Sequence, residues 1–401
     1  MTGARNILVL TYWSYSDALI QAYTLPYLRI MLRVLPPGSK VHLVTLEKQL
    51  VARTDVSVDQ GITVHQRQYR PFGARGLGMI LGLLVHLLRV VRKERIDTIH
   101  AWCTPAGMIG YMLSLITGKP LIIDSYEPHA EAMVENGTWS RSGIAFRVLF
   151  RFERLQSHRA RVLIAASRGM EDYAHRKYGV RGKPFFVKPA CVDLDLFSME
   201  KVGNRALAEQ LGLDGKLIAV YAGKFGGIYW DQEVFDLLRV AQGFWGDRFH
   251  VLILTGHERK ELDRYIRTAG LDPAMLTVMK VPHAAIPEHV GLADFALTPV
   301  RPVPTKRYCT PVKDGEYWAL GLPVMITPGI SDDSDIIEAE RIGCIIRSAD
   351  TKAYEEAVRE MDLLLNSGTR EVLRSRIRAV AEKYRHLRIA EEVYKEVYGT
   401  A

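Results

Sequence analysis

The stretch from Thr310 to Val324 places Lys313 and Glu316 in a setting suited to anion binding. Small residues and Pro311 form a loop, the residues through Ala319 read as a short helix, Gly321 to Pro323 reads as a turn, and the apolar run to Ile326 reads as a buried parallel strand. A loop feeding a helix N-terminus presents backbone N–H groups without intrahelical partners and a partial positive charge. The backbone from Thr310 through Pro311 to Val312 is therefore a seat for a phosphate or diphosphate, with Lys313 beside it. Glu316, about one turn on, is placed to accept hydrogen bonds from sugar hydroxyls next to that seat.

A second candidate is Tyr221 to Ile228, where Gly223, Gly226 and Gly227 follow an apolar run. These glycines let a ligand approach the backbone closely, and Lys224 could neutralise a diphosphate leaving group. Alone, the segment reads equally as an ordinary strand-to-helix turn.

The set Pro311, Lys313, Glu316, Tyr317, Ala319, Gly321, Pro323 and Val324 resembles the donor-nucleotide site of retaining glycosyltransferases of family 4. Their usual pattern is Pro-x-Lys-x-x-Glu-Tyr-x-Ala-x-Gly-x-Pro-Val. The resemblance implies an α/β chain of GT-B fold, two Rossmann-like doubly wound domains facing a cleft. A nucleotide sugar, UDP- or GDP-linked, would bind the second domain, and a glycan or lipid-linked acceptor the first. It gives catalytic roles to His129, Lys224 and Glu316, and donor-binding roles to Gly223, Gly226, Gly227, Thr310, Pro311, Val312 and Lys313. Gly256 and Val281 join the donor set, in turns where the family holds ribose and base. The neighbouring His257 and His283 read equally as surface or capping histidines. Two positions depart from the family. Tyr229 or Trp230 stands where a second lysine is usual, so Lys313 is the candidate to share its charge, and Tyr308 stands where many members have the first of two paired glutamates. The acidic cluster Asp332-Asp333-Ser334-Asp335 lies in a loop that the family uses to start a helix, and without an Asp-x-Asp pair built for a divalent ion no metal or other cofactor is expected. A nucleotide-sugar epimerase and a non-catalytic sugar-nucleotide-binding subunit are the rival readings.

In the first half, Asp124 to His129 follows a strand end, where ligands of α/β sheets gather. His129 is the candidate for the histidine that family members hold beside the reacting sugar. Asp124 and Glu127 are either acceptor-side groups or caps for the helix at Ala130. His100, inside a strand, reads as core. The loop Tyr12 to Asp17 follows the first strand, and Trp13, Ser14 and Asp17, with Glu127, suit a sugar or lipid-phosphate acceptor. The other reading makes the aromatics core and Asp17 an N-cap.

Alternating β-like and helical patterns indicate parallel sheets flanked by helices. Strands are expected at Ile7–Thr11, Val41–Thr45, Ile62–His65, Thr98–Trp102, Leu121–Asp124, Val162–Ala166 and Phe185–Lys188. The second set is Ile218–Ala222, His250–Thr255, Leu276–Met279, Phe295–Thr298, Val324–Ile326 and Cys344–Ile346. The 401 residues suit two domains. We place them at 1–190 and 204–384, with a final helix in 385–401 crossing back to the first, as GT-B chains tend to do. Lys188 to Phe197 resembles the family's interdomain linker, with Ala190 and Cys191 in place of Asn and Gly.

The net charge of +8 favours anionic partners. No recognised nucleic-acid motif accompanies it, which leaves nucleotide sugars and an anionic membrane surface. The four scattered cysteines read as free thiols of a reducing compartment. No signal peptide is evident, and the apolar run Leu77 to Val91 is too short to span a bilayer. The expectation is a cytoplasmic protein, with peripheral attachment at the inner face of the membrane as an added possibility. Two segments suggest that attachment: the helix that ends in Arg89, Arg92, Lys93 and Arg95, and the one with Arg147, Arg151, Arg154 and His158 on one face and Ala145, Val148, Leu149, Phe152 and Leu155 on the other. The alternative is that both apolar faces belong to the core.

Overall fold

The computed structural model describes residues 3–399 except 18, 49–54 and 71–73. The chain divides into two compact units, Met1–Lys188 with Arg388–Ala401, and Pro189–Leu387.

The first unit is built on β1 (Asn6–Leu10), β2 (Lys40–Glu47), β3 (Asp55–Asp59), β4 (Ile62–Gln68), β5 (Thr98–Trp102), β6 (Leu121–Tyr126), β7 (Val162–Ala165) and β8 (Phe185–Val187). Their order is β3-β4-β2-β1-β5-β6-β7-β8, parallel except for the β3–β4 pair. The central strands are continuous apolar runs because helices cover both faces. The edge strand β3 was not expected. Its sequence Asp-Val-Ser-Val-Asp alternates polar and apolar residues in place of an apolar run. The helices are α1 (Leu25–Val34), α2 (Ala74–Lys93), α3 (Cys103–Thr117), α4 (His129–Glu135), α5 (Ile144–Arg159) and α6 (Gly169–Tyr173). The crossovers β4-α2-β5, β5-α3-β6 and β6-α5-β7 run in one direction along the sheet. Right-handed connection therefore sets α2, α3 and α5 side by side on one face, and α1, which runs the other way, on the opposite face.

In the second unit β9 (Leu217–Ala222), β10 (Phe249–Leu254), β11 (Leu276–Met279), β12 (Phe295–Thr298), β13 (Val324–Ile326) and β14 (Gly343–Ile345) form a parallel sheet of order β11-β10-β9-β12-β13-β14. Its helices are α7 (Arg205–Gln210), α8 (Gln232–Trp245), α9 (Arg259–Ala269), α10 (Ile286–Val290), α11 (Val312–Ala319), α12 (Asp333–Glu340), α13 (Thr351–Leu365) and α14 (Arg370–Tyr384). Strand order reverses between β9 and β12. Loops leaving their carboxyl ends diverge there and open a crevice, the standard ligand position in such sheets.

The last helix, α15 (Leu387–Gly399), packs on the first unit beside α1, with Tyr394 against Tyr27. A buried charge cluster fastens it. Asp124 sits 3.2 Å from Lys188 Nζ, 3.2 Å from His100 Nε2, and accepts from Tyr394 O–H at 2.8 Å. Lys188 Nζ also lies 3.9 Å from the ring centre of Tyr27. Burial would raise the Asp124 carboxyl, but Lys188 and the bonds from His100 and Tyr394 hold it down to about 2. Asp124 is thus part of the core rather than an acceptor group or a helix cap.

Candidate active site

The motif from Pro311 to Val324 is α11, a tight turn and β13. Gly321 makes the turn possible. Its φ is +70°, and a Cβ there would lie 2.8 Å from the Arg374 backbone. Tyr317 is fully buried, and its hydroxyl accepts from the Ala222 N–H at 2.9 Å, pinning α11 to the end of β9. These two motif residues set the position of the helix start, while Lys313 and Glu316 carry the chemistry.

Lys313 is buried, and its Nζ has no hydrogen-bond partner. The ammonium lies 4.5 Å from the ring centre of Tyr221 and 4.3 Å from that of Tyr229. Burial pushes its pKa down to about 8 despite the nearby Asp314 and Glu316 carboxylates. It faces the glycine-rich turn. A Cβ on Gly223 would stand 2.6 Å from Nζ. Tyr229, which with Trp230 occupies the region where the family usually has its second lysine, is thus one wall of the Lys313 box.

The turn itself is firmly held. Gly223 donates to the Leu254 carbonyl at 2.9 Å, and Trp230 to that of Pro299 at 2.8 Å. Arg301 bonds the Tyr229 carbonyl at 3.0 Å and pairs with Asp231 and Glu233. His257 accepts from the Phe225 N–H at 3.3 Å and sits 2.9 Å from Glu261, so it is a strut for the turn. Gly226 and Gly227 both have positive φ, and Lys224 is exposed.

Glu316 lies mostly covered on α11, 3.9 Å from His283 Nε2, and this contact raises the His283 pKa. Val281 packs on the core and Gly256 is exposed. Thr310 Oγ1 bonds Ser331 Oγ at 2.9 Å, which fixes the loop before α11. The structure thus gathers Gly223, Glu316 and Lys313 around the start of α11. It adds a buried group that sequence reasoning missed. Asp314 takes the Thr298 hydroxyl, Asp333 pairs with buried Arg385, and burial pushes both carboxyls up. A carboxylate directly after the lysine, on a helix face otherwise apolar, was the available signal.

In the first unit the loop after β1 is stitched to β2. Trp13 accepts from the Leu46 N–H at 3.0 Å, and Ser14 Oγ donates to the Leu46 carbonyl at 3.2 Å. Asp17 accepts from the Leu19 N–H at 2.9 Å, so it caps the following helical turn. Tyr12, Trp13, Ser14, Asp17, Glu47 and Tyr69 line a pocket of about 590 Å³ at the strand ends. His129 begins α4, 3.2 Å from Glu127, with its ring edge-on to Tyr12 at 6.0 Å. Capping at Ala130 falls to neither Asp124 nor Glu127. Glu153 on α5 accepts that N–H at 2.8 Å and the Tyr178 hydroxyl at 2.9 Å, and burial pushes its carboxyl up to about 7. Glu153 was missed; an acid alone on a basic, amphipathic helix was its only trace.

The sequence model described as Glycosyltransferase Family 4 matches residues 36–196. No curated protein sequence matches the chain. Among solved structures, sucrose-phosphate synthase from Thermosynechococcus elongatus is similar with a TM-score of 0.75 at 13% identity, over 99% of this chain and 100% of that one. HepE from Anabaena in complex with UDP gives 0.72 at 15%, over 99% and 100%. WaaG, a glycosyltransferase involved in lipopolysaccharide biosynthesis, gives 0.71 at 13%, over 98% and 100%. The shared fold is GT-B, as expected for family 4. Among the described residues no three His, Cys, Asp or Glu side chains converge as a metal-binding set, and no helix is long and apolar enough to cross a membrane.

Proposed function

We propose that the chain moves a sugar from a UDP- or GDP-linked donor to a glycan or lipid-linked acceptor, with retention at the anomeric carbon. One observation carries this reading: the buried Lys313 ammonium, against Gly223 and without a hydrogen-bond partner. A diphosphate at the glycine-rich turn supplies its counter-charge. The HepE structures hold UDP and UDP-glucose, which supports this donor class.

Lys224, Lys313 and the N–H groups at the start of α11 stabilise the departing diphosphate more than the intact donor, and that difference is what accelerates the step. Glu316 takes hydroxyls of the transferred sugar. The acceptor oxygen bonds to the anomeric carbon on the face that the diphosphate leaves, and the diphosphate oxygen takes the acceptor's proton. Protein cations fill the charge-stabilising role, so no divalent ion is invoked. The acceptor is assigned to Trp13, Ser14, Asp17 and Glu127, and a catalytic role to His129. The pathway proposed is cytoplasmic assembly of a surface polysaccharide or glycolipid. Glu316→Ala and Lys224→Ala should each lower turnover at least about tenfold, or about 1.4 kcal/mol of barrier. His129→Ala should lower turnover while leaving nucleotide binding intact. Unchanged turnover in the first two variants overturns the assignment. Mass and NMR analysis that finds only epimerised or hydrolysed donor overturns transfer.

A further inference from the structure

We propose that the outer face of α2, α3 and α5 docks on an anionic phospholipid bilayer. The apolar face of α5 does not carry this contact, because it packs inward, with Leu149 buried and Phe152 edge-on to Tyr111. The outward-facing side chains of the three adjacent helices carry it instead. On α2 these are Leu81 and Val85, followed on the same face by Arg89 and Arg92. On α3 they are Leu115 and Ile116, more than half exposed. On α5 they are Ile144, Arg147, Arg151 and Arg154. Nine large hydrophobic side chains are exposed among the described residues, and five of them lie on these helices. The one carboxylate on the three helices, Glu153, is fully buried.

Charge decides the partner. None of the five arginine side chains has an ion-pair or hydrogen-bond partner among the described residues. Helix dipoles account for basic residues in a last turn, such as Arg92. They do not account for Arg147, in the first turn of α5, where the dipole disfavours a cation. A cation held there against the dipole fits an external anion. Aliphatic side chains interleaved with arginines gain from burial at a lipid headgroup boundary. A nucleic-acid surface would instead use aromatic platforms for bases.

The test is flotation of the full chain with neutral phosphatidylcholine vesicles and with vesicles containing about 30% phosphatidylglycerol, at low and high salt. The expected result is salt-sensitive binding to the anionic vesicles alone. At about 1 kcal/mol per basic residue near such a surface, each lost arginine costs about fivefold in partitioning. Arg147→Glu with Arg151→Glu should therefore weaken binding at least about 25-fold, and Leu115→Ser with Ile116→Ser should weaken it independently of salt. An unchanged thermal midpoint and unchanged stabilisation by nucleoside diphosphate show that the variants are folded and separate this idea from the donor reading. The proposal is overturned by no binding, by equal binding to neutral vesicles, by undiminished binding of the charge-reversed variant, or by binding that RNA abolishes in the wild type.

Discussion

Replacing Lys313 with Met should stabilise the free protein and abolish its response to donor. Met keeps the length of the side chain and its contact with Tyr221 and Tyr229 but removes the charge. A fall in the ammonium pKa from the ordinary 10.5 to about 8 corresponds to roughly 3 kcal/mol held against folding at neutral pH. The two ring faces are part of the compensation, at about 1 kcal/mol each. The net gain from Lys313→Met is then about 1–2 kcal/mol, a rise of several degrees in midpoint for a unit of this size. The pH dependence has a definite sign. The native ammonium releases its proton near pH 8 and the unfolded one near 10.5, so wild-type stability rises with pH across that window and the variant's does not. Differential scanning fluorimetry at pH 7 and pH 10, with and without UDP and GDP, reads all of this. A variant that melts lower than wild type, yet still responds to the nucleotide, refutes the reasoning.

Gly223→Ala should weaken nucleoside-diphosphate binding and also cost stability, because φ there is +155° and the new Cβ meets Lys313 Nζ at 2.6 Å; calorimetric titration checks the first and thermal melting the second. Asp124→Asn breaks a buried pair and should destabilise the first unit by about 3–5 kcal/mol, read by thermal melting, while sparing the nucleotide response. The wild-type contribution of Asp124 is present above pH 4 and lost as pH falls toward 2, because its native pKa is depressed; acid titration of the variant should lack that step. Glu153, raised to about 7, should cost stability as pH climbs from 4.5 to 7, and Glu153→Gln should flatten melting curves across that range.

Twelve of the parallel strands expected from apolar runs fall within two residues of their observed limits, because a strand buried on both faces must be apolar throughout. Strand β3 escaped because an edge strand needs no such run. Lys313 and Glu316 were legible as a pair because a loop, a helix and a turn frame them in one segment. The Tyr221–Tyr229 box was not, since it joins residues about ninety positions apart through the β9–β12 reversal. The Asp314–Asp333–Arg385 cluster and Glu153 escaped for a similar reason. Each is a charge whose partners come from other elements, and sequence spacing does not show that burial. Asp17 could be read as ligand or cap, and one of its carboxylate oxygens accepts the Leu19 N–H at 2.9 Å.

The central claim is that the second unit binds a nucleotide-sugar donor at the start of α11. A thermal-shift series of the full chain against nucleoside diphosphates and their sugars tests it most directly. The account predicts a selective rise with one nucleotide and its sugars, about 2.7 kcal/mol of stabilisation at a hundredfold excess over Kd, absent in Lys313→Met. No shift with any nucleotide, or an equal shift in the variant, would contradict it.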